Sequence, residues 1–135
     1  MTMNKISSVI RFIFFFVLLS CGQSGKGERS QPLSPQEFAD QLKSDPAIVL
    51  IDVRTADEMQ NGFIAGAVNM DFNSPEFEKS IESLDHEKKY LVYCAVGKRS
   101  GKALQMMMEK GFTHTAVLDG GTNAWAAAGF PLSRP

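Results

Sequence analysis

The sequence predicts one α/β domain built on a parallel sheet with helices on both faces. Three observations carry this. First, Ala47–Ile51 and Tyr90–Tyr93 are continuous apolar runs, the pattern of strands buried on both sides. Second, segments with helical spacing and clear capping residues lie between these runs and a further strand at Thr115–Leu118, and strands alternating with helices give parallel pairing. Third, 135 residues suit one domain, and the apolar and charged fractions are ordinary for a globular chain.

Residues 1–20 stand apart from this fold. Lys5 and Arg11 are their only charges, and Phe12–Leu19 is an apolar run of eight residues. A membrane-spanning helix needs about 20, so this run is too short. A basic start, a short apolar centre and a small residue before the cut read as a secretory signal. Leu18-Leu19-Ser20-Cys21 with Gly22 also resembles the bacterial lipobox. That resemblance implies cleavage before Cys21, lipid on its sulfur and amino group, and an extracytoplasmic domain anchored to a bacterial membrane. Cys94 is then the one free thiol of the mature chain, since the sequence holds two cysteines. Without residues 1–20 the chain carries 12 basic and 15 acidic residues, a formal charge of −3.

Residues 21–33 are expected to hold the lipidated cysteine and a tether. Gly22–Pro32 is polar and glycine-rich, without an apolar period. The domain spans residues 34–135 and opens on Ser34, a helix N-cap, with Pro35 at the first helical position. Glu37 reaches back as a capping box, and Leu33 and Phe38 have the spacing of a hydrophobic staple. The strand Ala47–Ile51 follows. Thr55 and Glu58 repeat the capping-box pattern for a short helix that Gly62 ends, and Ala67–Met70 has room for a short strand.

Ser74-Pro75 is expected to open the next helix, with Phe77, Ile81 and Leu84 on one face. After the strand Tyr90–Tyr93, a helix beginning near Arg99 runs to about Lys110. Gly111 is its left-handed stop, with Met107 and Phe112 spaced for the accompanying apolar contact. The last helix, after Thr115–Leu118, is expected to be capped by Thr122 and ended by Gly129. Phe130 packs back on Trp125, and Pro131 blocks continuation.

The chemistry concentrates in Cys94-Ala95-Val96-Gly97-Lys98-Arg99-Ser100. The thiol stands at the carboxyl end of a buried strand and under a helix N-terminus, where parallel sheets bind ligands. Backbone N–H groups and the helix dipole favour the thiolate, which is the reactive form. The charges of Lys98 and Arg99 act in the same direction. Cys94 therefore reads as a nucleophile.

Asp52 ends the neighbouring strand. It is read as tying down backbone N–H groups, and Arg54 as pairing with Glu58 across one helical turn; both are supporting residues. Met106-Met107-Met108 and Trp125 read as core. His86 and His114 are not placed in a ligand cluster, so no metal or organic cofactor is implied. The formal net charge of −1 gives no support for a nucleic-acid partner.

Three motifs together resemble the rhodanese-like domain family over roughly residues 34–132. Asp52-Val53-Arg54, Glu58 and Gly62–Asn69 look like its first motif, Cys94–Ser100 like its active-site loop, and Leu118-Asp119-Gly120-Gly121 with Trp125 like its closing motif. The resemblance implies a sulfurtransferase. Cys94 would take a sulfane sulfur from a donor such as thiosulfate, hold it as a persulfide, and pass it to a thiol or cyanide. The amides of Ala95, Val96, Gly97, Lys98 and Arg99 would cradle the outer sulfur, as an oxyanion is cradled. Arg99, with Lys98, would attract and orient an anionic donor. The family often has histidine where this chain has Phe63, which is expected to alter packing near that turn.

Two other readings stand beside this one. Cysteine phosphatases and arsenate reductases also use a cysteine loop at a helix N-terminus, but their arginine comes six positions after the cysteine. Here Arg99 is the fifth, and a shorter loop suits a single sulfur better than a tetrahedral phosphate. A binding or thiol-sensing module is the non-enzymatic alternative. The sequence leaves oligomeric state open.

Overall fold

The computed structural model describes residues 30–135. The expected signal peptide, Cys21 and most of the expected tether lie outside the described residues. The chain runs β1 (Pro32–Leu33), α1 (Pro35–Ser44), β2 (Val49–Asp52), α2 (Ala56–Gln60), β3 (Val68–Asn69), α3 (Phe77–Glu82), β4 (Tyr90–Tyr93), α4 (Lys98–Glu109), β5 (Thr115–Leu118) and α5 (Gly121–Ala127). The five strands form one sheet in the order β1-β5-β4-β2-β3, and every pairing is parallel. The expected α/β architecture is present.

The side-chain period of two along β4 divides the core. Leu91 and Tyr93 face a cluster with Phe38 of α1 and Trp125 of α5. Tyr90, Val92 and the following Cys94 face the opposite cluster, with Phe77 and Ile81 of α3 and Ala103, Leu104 and Met107 of α4. Helices therefore cover both faces, and all four β4 residues are buried.

Local chemistry fixes several helix ends as expected. Ser34 Oγ accepts from the Glu37 N–H, while the Glu37 carboxylate accepts from the Ser34 N–H at 2.9 Å. Thr55 and Glu58 form the same reciprocal pair at the start of α2. Beyond α4, Gly111 takes a left-handed φ of 92°. Its N–H and that of Phe112 then satisfy the carbonyls of Met108 and Met107, each at 3.0 Å, a Schellman closure. Trp125 and Phe130 stack with centroids 4.5 Å apart past the end of α5.

Three elements differ from expectation. Pro32–Leu33 belongs to the sheet rather than the tether, because Leu33 pairs with Leu118 and its carbonyl accepts the Asp119 N–H at 2.8 Å. Ser74-Pro75 lies in a turn before α3, where Ser74 Oγ accepts the Glu76 N–H and its carbonyl accepts the Phe77 N–H. Thr122 does not cap α5. Gly120 occupies the cap, and Thr122 is buried inside the first turn.

Candidate active site around Cys94

Cys94 leaves the carboxyl end of β4, and Gly97 turns the chain into α4 with a left-handed φ of 98°. This turn brings amide groups back over the sulfur. The Gly97 N–H donates to Cys94 Sγ at 3.1 Å and the Ser100 N–H at 3.4 Å. Ser100 Oγ lies 3.4 Å from the sulfur and 3.2 Å from the Gly97 carbonyl oxygen, and its one proton turns to the sulfur when that is ionised. Burial pushes the Cys94 thiol up. The Ser100 hydroxyl and amide, with the Gly97 and Val96 amides, outweigh burial and leave the pKa below its ordinary value.

Cys94 is 1% exposed, with the apolar α3–α4 cluster on one side and the loop amides on the other. Val96 in that loop is 55% exposed, and Lys98 is exposed at the start of α4. Of the amides expected around the sulfur, that of Gly97 donates to it; the Ser100 amide, which was not among them, donates as well.

The loop is clamped from behind by α5. The Thr122 N–H donates to the Cys94 carbonyl at 2.9 Å and the Asn123 N–H to the Ala95 carbonyl at 3.1 Å. The loop carbonyls thus take the Thr122 and Asn123 amides, the ones that a side chain at the cap position 120 would otherwise satisfy. The contact demands glycine at position 121. Its φ is +61°, and a Cβ there would lie 2.3 Å from the Cys94 carbonyl oxygen.

Arg99 does not reach into open solvent. Its two terminal nitrogens grip the Glu58 carboxylate at 2.7 and 2.6 Å. The Arg99 fork, with the Thr55 bonds, holds the Glu58 carboxyl at about 2, well under its ordinary value despite partial burial. The expected Arg54–Glu58 pair is therefore absent. Arg54 turns to Asp52 instead, with Nη2 2.6 Å from Oδ2, and donates to the Gly62 carbonyl at 2.8 Å. Asp52 does tie down a backbone amide as expected, that of Arg54 at 2.9 Å. The helical-turn spacing misled because Asp52, at the end of β2, is as close in space and fully buried.

The Asp52–Arg54 pair is a strut under the site. The Arg54 guanidinium lies over the Tyr93 ring, 5.6 Å from its centroid, and Tyr93 Oη accepts the Ile64 N–H at 3.1 Å. Asn69 Nδ2 donates to the carbonyls of both Asp52 and Arg54. Phe63 exchanges both backbone bonds with Ser133, which seats the C-terminal segment and Leu132 against Gly62. Between these parts lies a cleft of about 250 Å³, walled by Arg54, Glu58, Asn61, Ala95 and Asn123 among others. It borders the residue next to Cys94. Among the described residues, no three His, Cys, Asp or Glu side chains group as a metal site.

Ser100, Glu58 as the partner of Arg99, and Gly121 were not assigned site roles from the sequence. Ser100 had a signal: it is the one polar residue in the buried stripe Ser100-Ala103-Leu104-Met107 of α4. The Gly120-Gly121 doublet marked a close backbone approach. The Glu58–Arg99 pair, 41 residues apart, had no local signal.

A parallel sheet delivering a cysteine into an amide-lined loop at a helix N-terminus defines a thiol-centred α/β domain. Residues 34–128 match the rhodanese-like domain, and the chain belongs to that family. It is 34% identical over 98 residues to the thiosulfate:glutathione sulfurtransferase of Saccharomyces cerevisiae, covering 64% of this chain and 70% of that protein. It is 38% identical over 92 residues to the tRNA uridine(34) hydroxylase of Cytophaga hutchinsonii, covering 66% of this chain but 29% of that longer protein. A rhodanese-related protein from Thermoplasma volcanium superposes with a TM-score of 0.69 at 27% identity, covering 78% of this chain and 99% of that one.

Proposed function

We propose that the protein is a sulfurtransferase that carries sulfane sulfur as a persulfide on Cys94. The observation that supports this most directly is the sulfur itself: Cys94 Sγ accepts two backbone N–H groups at the amino end of α4. Such donors stabilise anionic sulfur without a general base. In the first half-reaction the Cys94 thiolate attacks the outer sulfur of thiosulfate. One S–S bond forms, another breaks, and sulfite leaves with the bonding electron pair. In the second, an acceptor thiolate attacks the outer sulfur of the persulfide and the Cys94 thiolate is regenerated. Neither displacement requires a cofactor.

Intact-mass spectrometry after exposure to thiosulfate tests the proposal. The wild-type domain should gain one sulfur atom, removable by a thiol, and Cys94→Ser should gain none. Ser100→Ala removes a hydroxyl that favours the thiolate. Its rate of sulfur uptake should fall about tenfold at neutral pH and recover at higher pH. A wild type that takes no sulfur from several sulfane donors but hydrolyses an aryl phosphate would replace this reading with a phosphatase. On the lipobox resemblance, we further propose that the domain works at the outer face of a bacterial membrane; palmitate incorporation lost in Cys21→Ala is the check.

A further inference from the structure

We propose that Glu58 sets the donor specificity of the Cys94 site, turning it from dianionic donors toward sulfane sulfur carried on molecules of lower negative charge. This rests on the persulfide chemistry proposed above and names the substrate class for it.

Both guanidinium groups near the site are already matched by a carboxylate. Arg54 is held by Asp52 and the Gly62 carbonyl, and Arg99 by the two oxygens of Glu58. Lys98 is exposed, where water and salt screen its charge. A dianion approaching Cys94 thus meets a neutralised fork and the carboxylate that neutralises it. Pairing with Arg99 would require displacing Glu58 from two charge-assisted bonds.

Glu58 is also fixed in place. Its Oε2 accepts the Thr55 N–H at 3.0 Å and the Thr55 hydroxyl at 3.1 Å. The carboxylate cannot swing aside without opening the cap of α2. The cleft beside Ala95 is lined by the neutral residues Asn61, Thr122 and Asn123 together with Glu58 and the Asp52-paired Arg54. Such walls suit the uncharged body of a larger donor better than a compact dianion.

The test compares two donors that load Cys94 by the same displacement. Thiosulfate is a dianion and releases sulfite; the methanethiosulfonate anion, CH3SO2S⁻, is a monoanion and releases methanesulfinate with the bonding pair. Glu58→Gln keeps an oxygen for the α2 cap, where glutamine is also accepted, and removes the charge. The ratio of kcat/KM for thiosulfate to that for methanethiosulfonate should rise about tenfold in this variant, mainly through KM, and the rise should shrink as salt is added. Arg99→Gln, which leaves Glu58 charged and unmatched, should move the ratio the other way. A ratio unmoved in both folded variants, or equal losses with both donors, overturns the assignment while leaving the persulfide reading intact. Absence of sulfur uptake from either donor by the wild type defeats both.

Discussion

Gly121→Ala should destabilise the domain by about 4 kcal/mol or more and remove sulfur uptake by Cys94. Two independent effects add here. The left-handed φ of +61° costs a residue with a Cβ about 1–2 kcal/mol. The larger effect is steric. The new Cβ would stand 2.3 Å from the Cys94 carbonyl oxygen and 2.5 Å from the carbonyl carbon and oxygen of Ala95, all of them backbone. No rotamer relieves such a contact, so α5 or the cysteine loop must move, breaking the Thr122 and Asn123 amide bonds to that loop. Gly66→Ala is the control. Gly66 also has a positive φ, 86°, but a Cβ there meets nothing within 4 Å. It should cost about 1 kcal/mol and leave sulfur uptake unchanged. Urea unfolding and intact-mass measurements on the two variants separate strain from collision. Equal stability of the two would remove the steric argument.

Asp52→Asn should cost about 3–5 kcal/mol. The carboxylate is 0% exposed and accepts Nε, Nη2 and the backbone amide of Arg54. An amide in its place offers one acceptor oxygen and leaves a buried guanidinium without a counter-charge. The attraction lost exceeds any gain from an easier desolvation, because Arg54 stays charged and has only the Gly62 carbonyl and the Tyr93 ring left. The urea midpoint should fall with the slope unchanged. A drop under about 1 kcal/mol would mean that Arg54 finds water or another partner on the cleft side.

The parts of this fold legible in the sequence are those decided within a few residues. Ser34 with Glu37, and Thr55 with Glu58, formed their capping boxes because both partners lie on one helical turn. Gly111 and Phe112 closed α4 for the same reason. Long apolar runs marked β2 and β4, since burial on both faces requires them. What escaped depends on distant partners. Pro32–Leu33 has no strand signature; it is a strand because β5 presents free carbonyl and amide groups beside it. Arg54 had two carboxylates within reach, and tertiary burial chose Asp52 over the helical-turn neighbour. Thr122 carries the chemistry of a cap, yet the α5 amides were claimed by carbonyls from a loop nearly thirty residues earlier. The nucleophile was visible because its setting (strand end, glycine turn, helix start) is contiguous in the chain.

Sheet polarity has a last consequence. A strand running parallel to its neighbours is threaded from their amino-terminal side, so β1 admits the polypeptide at the pole away from the one where β4 releases Cys94. A load applied at residue 30 would therefore act on the pole opposite the one that carries the thiol.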